Sequence, residues 1–200
     1  MVKVLKRVEK LGGKMYLIVG LGNPEPEYSK TRHNMGFDVI NKLAKQYEIE
    51  LSRSNFEGIY GTGIIENEKV ILLKPQTYMN LSGQSIKKYI DFYKIPLENI
   101  LVVFDDMDTE KGKIKIRKMG GPGTHNGAKS VVHELQSEQF ARIRVGIGRP
   151  IDNDKIIDYV ITPIQDEQEY KQLEIGIEKA KDAIIEYLKN GIDKAMNKFN

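Results

Sequence analysis

Cysteine and tryptophan are absent from this 200-residue chain, and histidine occurs only three times. The lack of cysteine excludes disulfides, thiolate metal sites and a cysteine nucleophile, and it fits a reducing compartment. No apolar run approaches the ~20 residues that a membrane-spanning helix needs, and the first residues lack the apolar core of a secretory signal. These absences predict a cytoplasmic protein and leave histidine as the side chain suited to proton transfer near neutral pH.

Charge is distributed unevenly along the chain, although the formal net charge is only +3. Residues 1–14 hold five basic residues and one acid, and residues 111–149 hold nine basic residues and two acids. Residues 152–189 instead hold ten acids against five bases. A one-sided basic surface favours an anionic partner such as a nucleic acid, although scattered, solvated charge explains the same pattern.

Short apolar runs alternate with amphipathic helical patterns along most of the chain. This alternation predicts one α/β domain over residues 15–200 with a largely parallel central sheet, preceded by a basic, disordered extension at residues 1–14. The alternating charges of KIKIRK favour an edge or antiparallel strand. Strands are predicted at 16–19, 69–73, 100–104, 113–117 and 142–147, more weakly at 58–65, and helices at 34–47, 81–93, 126–135 and 166–190.

A strand, a Gly/Pro-rich loop and a histidine at the start of a helix occupy residues 16–37, YLIVGLGNPEPEYSKTRHNMGF. His33 is the candidate base, and Asn23 and Asn34 can donate hydrogen bonds without carrying charge. Asp105 follows the apolar run ILVVF, at the strand end where open α/β sheets place their sites. A carboxylate there can orient one imidazole nitrogen and leave the other to take a proton from water. The pattern favours a site that activates water and stabilises an oxyanion.

Other chemistries fit these residues less well. The turn at 20–22 resembles a dinucleotide-binding motif, but Glu25 replaces its third glycine, which disfavours a nucleotide-dependent oxidoreductase. Asp105, Asp106 and Asp108 could together hold magnesium, or they could simply form Asx-turns. The histidines show no local metal-ligand spacing, and no GxSxG elbow is present.

Two further loops precede predicted helices and have both a structural and a functional interpretation. In residues 78–83, Asn80 or Ser82 is either a helix cap or a ligand-binding residue. The glycine-rich residues 120–127 can bind anions or amide groups through backbone N–H groups at a helix N-terminus. The same loop can also be an ordinary turn that Asn126 caps.

Basic side chains alternate along two of the predicted strands. Lys113, Lys115 and Arg117 share one face of the first strand, and Arg142 and Arg144 share one face of the second. Two such strands side by side could clamp phosphate groups. Such a clamp would hold a nucleic acid by its backbone charge and not by its base sequence.

Five motifs occur in order along the chain: GLGNPEPEYSKTRHNMGF, PQTYMNLSG, ILVVFDDMD, GGPGTHNG and RVGIGRP. Together they closely resemble the bacterial peptidyl-tRNA hydrolases, and the resemblance covers residues 15–200. It implies a single α/β catalytic domain with a twisted mixed sheet and helices on both sides. It also implies hydrolysis of the ester between a peptide and the terminal ribose of tRNA, by a monomer without cofactor or metal.

The resemblance further assigns roles to individual residues. The alternative is a non-catalytic RNA-binding relative, since this fold also occurs in RNA splicing factors. A protein that only binds RNA would not need Asn23, His33 and Asp105 together. The implied catalytic residues are His33, Asp105 and Asn23, the substrate-binding residues are Tyr28, Met79, Asn80 and Asn126, and the tRNA phosphate-binding residues are Lys115, Arg117 and Arg144.

Overall fold

The computed structural model describes residues 14–200, so the expected disordered extension lies almost wholly outside the described residues. Within them, a seven-stranded mixed sheet is accompanied by six α-helices. The strands are β1 (Met15–Gly20), β2 (Arg53–Asn55), β3 (Gly58–Ile65), β4 (Glu68–Pro75), β5 (Ile100–Asp106), β6 (Ile114–Arg117) and β7 (Ala141–Gly146). The helices are α1 (Met35–Gln46), α2 (Ser82–Tyr93), α3 (Asn126–Leu135), α4 (Ile156–Ile161), α5 (Glu167–Asn190) and α6 (Ile192–Phe199).

Four neighbouring strands, in the order β4, β1, β5 and β7, run parallel through the centre of the sheet. Strands β3 and β2 extend one edge antiparallel, and β6 pairs antiparallel with β7 at the other edge. The predicted α/β fold with a largely parallel sheet is therefore confirmed. The KIKIRK segment is an antiparallel edge strand, as its alternating charges indicated.

Helices cover both faces of the sheet and create two separate apolar layers. Helices α1, α5 and α6 pack on the face that carries Ile18 and Val103. Helices α2 and α3 pack on the face that carries Leu17 and Val102. Consecutive strand residues enter different layers because side chains alternate across a strand. Within residues 14–200, no helix combines the length and the hydropathy required to cross a bilayer.

Helix termini differ from the predicted caps at two positions. The side chain of His125, not that of Asn126, caps α3 by accepting a hydrogen bond from Ala128 N. Neither Asn80 nor Ser82 caps α2. The N-cap position is Leu81, and Ser82 Oγ donates back to the Met79 carbonyl. The predicted end of α5 is confirmed, since Gly191 follows the helix with a φ of +86°.

Helix α1 contacts β1 through backbone atoms. A Cβ on Gly20 would overlap the carbonyl of Gly36, and a Cβ on Gly36 would overlap backbone atoms of Leu21 and Val103. Glycine is required at both positions because no side chain fits between the helix and the strand. This close approach places the residues that precede α1, including His33, beside the carboxyl ends of β1 and β5.

Candidate active site

A cavity of about 410 Å³ lies at the edge of the sheet where the parallel strands end. The loop after β1 delivers Asn23, the segment after β4 delivers Asn80, and β5 delivers Asp105. The turn before α1 contributes His33, and the first residue of α3 contributes Asn126. The fold thus converges three predicted loops on one site, at the place where open α/β sheets bind ligands.

His33 and Asp105 form a hydrogen-bonded pair at the base of this cavity. His33 Nδ1 lies 2.9 Å from Asp105 Oδ1 and 3.0 Å from Oδ2. The Asp105 side chain is only 3% exposed and that of His33 is 13% exposed. An ionised carboxylate only accepts hydrogen bonds, so His33 Nδ1 carries the hydrogen and Nε2 keeps its lone pair. The pair therefore has the tautomer that a general base requires.

The electrostatics of the pair favour a base that is easily protonated. Burial lowers the pKa of His33, but the charge of Asp105 and its hydrogen bond outweigh burial and raise the pKa above the usual 6.5. Burial would raise the pKa of Asp105, but the facing imidazoles of His33 and His125 hold it well below its usual range. Asp105 is accordingly ionised at neutral pH and stabilises the imidazolium that proton transfer creates.

A second imidazole, which the sequence interpretation left without a role, also binds Asp105. His125 Nε2 lies 2.9 Å from Asp105 Oδ1, and His125 Nδ1 accepts a hydrogen bond from Ala128 N at 3.1 Å. Because Nδ1 is an acceptor, Nε2 carries the hydrogen and donates it to Asp105. Its position just before a predicted helix was the available signal, since a residue there can cap the helix.

Asn23 is held so that its amide nitrogen is available to the cavity. Met79 N donates to Asn23 Oδ1 at 3.0 Å, which identifies the oxygen and leaves Nδ2 as the free donor. Asn34 holds the main chain of Asn23 from both sides, since it accepts from Asn23 N at 2.8 Å and donates to Asn23 O at 3.0 Å. Asn34 thus positions Asn23, and Asn23 is the better candidate for an oxyanion donor.

The predicted substrate-binding residues separate into two groups. Met79, Asn80 and Asn126 line the cavity, with Met79 buried and both asparagine side chains exposed to it. Tyr28 lies outside the lining, whereas Tyr78, which was not predicted, belongs to it. An apolar wall from the unpredicted helix α4 completes the cavity, and its residues are Ile156, Ile157, Val160 and Ile161.

The two basic strands are adjacent, as predicted. Lys115 on β6 is opposite Arg144 on β7, and Arg117 is opposite Arg142. Lys115 is exposed and Arg144 is half-buried at the edge of the cavity. Arg142 is completely buried and donates to backbone carbonyls, so its expected place in a phosphate clamp is wrong. Lys115, Arg117 and Arg144 remain candidates for the predicted clamp.

One group among the described residues has the spacing of metal ligands. Ligand atoms of His33, Asp105 and His125 all lie within 4.8 Å of one another. A metal ion there would replace the two hydrogens that now join the imidazoles to the carboxylate. Of the aspartates considered as magnesium ligands, Asp106 instead accepts from Thr109 Oγ1 at 2.6 Å, and Asp108 pairs with Arg149.

Comparison with known proteins places the chain in one family. The family model described as peptidyl-tRNA hydrolase matches residues 17–200. Peptidyl-tRNA hydrolase from Caldanaerobacter subterraneus subsp. tengcongensis is 50% identical over 93% of this chain and 100% of its own length. The Clostridium botulinum protein of that name is 48% identical over 93% of this chain and 96% of its own length.

A solved structure shows the same similarity in three dimensions. The crystal structure of peptidyl-tRNA hydrolase from Acinetobacter baumannii superposes with a TM-score of 0.85 and 39% sequence identity, covering 92% of this chain and 93% of that chain. The family predicted from the five sequence motifs is thereby confirmed. This chain belongs to the peptidyl-tRNA hydrolase family and is a hydrolase.

Proposed function

We propose that this protein hydrolyses the ester between a peptide and the terminal ribose of tRNA, with His33 as general base and Asp105 as its orienting carboxylate. The observation that carries the proposal is the His33–Asp105 pair, whose Nδ1–H points to a buried carboxylate while Nε2 remains free in the cavity. The reaction releases the peptide and returns free tRNA to translation in the cytoplasm. A single copy of the chain supplies every residue that the reaction requires.

In the proposed reaction, His33 Nε2 takes a proton from water while the water oxygen attacks the ester carbonyl carbon. General-base assistance of this kind contributes roughly 10²–10⁴-fold in rate. The carbonyl oxygen becomes an oxyanion, and Asn23 Nδ2 donates a hydrogen bond to it. Collapse of the tetrahedral intermediate expels the ribose oxygen, which takes back the proton from His33 Nε2. The products are a peptide carboxylic acid and the tRNA hydroxyl group.

The cavity suits a peptide main chain joined to an anionic polymer. Asn80 and Asn126 expose uncharged amides, which can pair with peptide groups of any sequence. The tRNA backbone would extend from the cavity toward Lys115, Arg117 and Arg144. Phosphate contacts of this type give affinity that depends on salt and not on base sequence.

Hydrolysis of an N-acetyl-aminoacyl-tRNA tests this function directly. Purified protein in EDTA at neutral pH should release free tRNA and the blocked amino acid far faster than buffer alone. Failure to release either product while tRNA still binds would instead support the non-catalytic RNA-binding alternative. The same aminoacyl-tRNA without the acetyl group is the comparison that measures selectivity for peptidyl substrates.

The pH dependence of kcat/KM should report the protonation of His33. Only neutral His33 can accept a proton, and its pKa is raised above 6.5 by Asp105 despite burial. Activity should therefore be full at higher pH and fall as the pH drops through this raised pKa, so the acid limb lies above 6.5. An acid limb below the usual histidine pKa would contradict the proposed pairing.

Asn23→Asp should reduce kcat by about 10²–10³-fold, the loss that follows removal of an oxyanion-hole donor. The aspartate retains an oxygen that accepts from Met79 N, but it lacks Nδ2 and places negative charge next to the oxyanion. Single-turnover hydrolysis measures the chemical step. Asn41→Asp is the matched control, because Asn41 is exposed on α1 and binds Lys74 outside the cavity. Equal rates for the two variants would remove Asn23 from the oxyanion site.

Lys115→Ala should raise KM for peptidyl-tRNA several-fold and leave KM for a minimal peptidyl-adenosine ester unchanged. Loss of one phosphate contact should also reduce the slope of log affinity against log salt by about 0.7–0.9. Lys88→Ala is the control, since Lys88 is exposed on α2 and pairs with Glu57 at the opposite edge of the sheet. An equal rise in KM for both esters would place Lys115 at the reacting end of the substrate.

A further inference from the structure

The glycine-rich loop, residues 118–124, is attached to strand β7 through one carbonyl group. Gly121 O accepts a hydrogen bond from Arg142 Nη1 and another from Arg144 Nη2, both at 3.1 Å. Gly120 N also donates to Glu138 O at 3.3 Å. Among the described residues, no further hydrogen bond joins the stretch 119–124 to a neighbouring element. The position of this loop therefore depends on two guanidinium groups that share an acceptor.

Arg142 is the inaccessible member of this pair. It is completely buried, and its guanidinium lies 4.2 Å from the centre of the Phe140 ring. Besides Gly121 O, it donates to Glu138 O at 3.0 Å. Burial and the nearby Arg144 lower the pKa of Arg142 to about 10, so it stays charged at neutral pH. Solvent and substrate do not reach it. Its hydrogen bonds are to backbone carbonyls, which are present in every state of the chain.

Arg144 is the accessible member. It is half-buried at the edge of the cavity. Among the described residues, its terminal nitrogens form a single hydrogen bond, from Nη2 to Gly121 O. Its Nε is buried without a partner among the described residues. Lys115 lies directly opposite on β6 with its side chain exposed. An anion that binds Lys115 therefore meets the terminal nitrogens of Arg144.

We propose that a tRNA backbone phosphate competes with the Gly121 carbonyl for Arg144, so that phosphate binding leaves the Gly121 carbonyl held by Arg142 alone. Guanidinium–phosphate hydrogen bonds are charge-assisted, roughly twice as strong as bonds to a neutral carbonyl, and favour a bidentate geometry that uses two nitrogens. The inference rests on the proposed function, since it takes the phosphate from peptidyl-tRNA. It makes Arg142 a positioning residue and Arg144 the point that couples tRNA binding to the loop.

The coupling would act at the peptide end of the site. His125 and Asn126 follow the loop directly, and His125 is fixed to Asp105 and to the start of α3. Loss of the Arg144 bond to Gly121 therefore loosens the loop up to His125 without moving the catalytic pair. Binding of the tRNA backbone would widen access to the cavity beside Asn126 before the ester is cleaved.

Hydrogen–deuterium exchange with a 5′-phosphorylated RNA hairpin, which carries phosphates but no ester, tests the coupling. In the wild-type protein, saturating hairpin should accelerate exchange several-fold at Gly120, the loop amide that donates to Glu138 O, about the factor given by one lost hydrogen bond. Arg144→Ala should show accelerated exchange without the hairpin and no further change with it. Arg53→Lys is the control, because Arg53 lies on β2 at the opposite edge of the sheet and donates to Thr62.

Arg142→Lys tests the anchor. A lysine offers one nitrogen in place of the two that reach Gly121 and Glu138, so loop exchange should rise in the free protein and rise again with hairpin. KM for a minimal peptidyl-adenosine ester should increase more than kcat falls, because the loop and not the catalytic pair is affected. If this variant does not fold, the wild-type comparison with and without hairpin and Arg144→Ala still decide the question.

The proposal is overturned if the hairpin binds, as measured by fluorescence anisotropy, while wild-type loop exchange stays constant or slows. It is also overturned if the hairpin does not bind, or if folded Arg142→Lys keeps wild-type loop exchange. Each of these results leaves the proposed function intact, provided that blocked aminoacyl-tRNA is still hydrolysed. Loss of that hydrolysis in the wild-type protein would be a failure of the proposed function itself.

Discussion

His33→Ala should lower kcat/KM for peptidyl-tRNA by roughly 10²–10⁴-fold, the contribution expected from general-base catalysis. The variant removes the nitrogen that accepts the water proton, while Asp105 keeps its hydrogen bond from His125 Nε2. The buried carboxylate is therefore still satisfied, and the fold should persist. Affinity for tRNA should stay within a few-fold of wild type, since Lys115 and Arg144, the proposed phosphate contacts, are unaltered.

The measurement is steady-state hydrolysis of N-acetyl-aminoacyl-tRNA together with a separate equilibrium binding assay. His133→Ala is the matched control, because the His133 side chain is 79% exposed on α3. Near-normal turnover by His33→Ala would remove His33 as the base. Parallel losses of turnover and of tRNA affinity would instead indicate that His33 acts mainly in binding.

Asp105→Asn should reduce kcat by about 10⁴-fold, the loss seen when the carboxylate that orients a catalytic histidine becomes an amide. Asp105 now accepts hydrogen bonds from two imidazoles, and an asparagine has only one carbonyl oxygen for them. His125 Nδ1 already accepts from Ala128 N, so His125 must remain a donor at Nε2. The amide NH₂ group then faces His33 Nδ1 and favours the tautomer with hydrogen on Nε2, which cannot take a proton from water.

The two consequences of this substitution can be measured separately. Single-turnover rates at high pH report the tautomer, and the acid limb of the pH profile reports the pKa of His33. Without the carboxylate, that limb should move to lower pH, because the cause that raises the pKa has gone. Asp91→Asn is the control, since Asp91 is exposed on α2 and pairs with Lys87. An unchanged acid limb in Asp105→Asn would show that another group sets the pKa.

The central sheet and the His33–Asp105 pair could be predicted because each depends on local patterns. Apolar runs mark buried parallel strands, and the carboxyl ends of such strands meet at one edge. That rule brings a histidine after β1 and an aspartate at the end of β5 together although 72 residues separate them. Short elements without strong periodicity escaped prediction, as for β2 and α4, whose lengths are three and six residues.

Contacts that depend on side-chain direction were not predictable in the same way. The alternation of Arg142 and Arg144 indicated correctly that they share a face, but not that a loop and Phe140 bury the first of them. Likewise, the sequence indicated Asn126 as the cap of α3, whereas His125 is the cap and also donates to Asp105, a contact that arises from packing across 20 residues of chain. Tertiary contacts decide such roles, and local sequence does not encode them.

The backbone contact between Gly20 and Gly36 constrains the distance between His33 and Asp105. Side chains in a layer can repack when a neighbouring residue changes, whereas two backbones in contact leave no side chain between them that could move aside. This backbone contact therefore fixes the distance between the start of α1, next to His33, and the end of β5, where Asp105 lies. Substitutions deeper in either apolar layer should therefore displace the imidazole from its carboxylate less than a Cβ at Gly20 or Gly36 would.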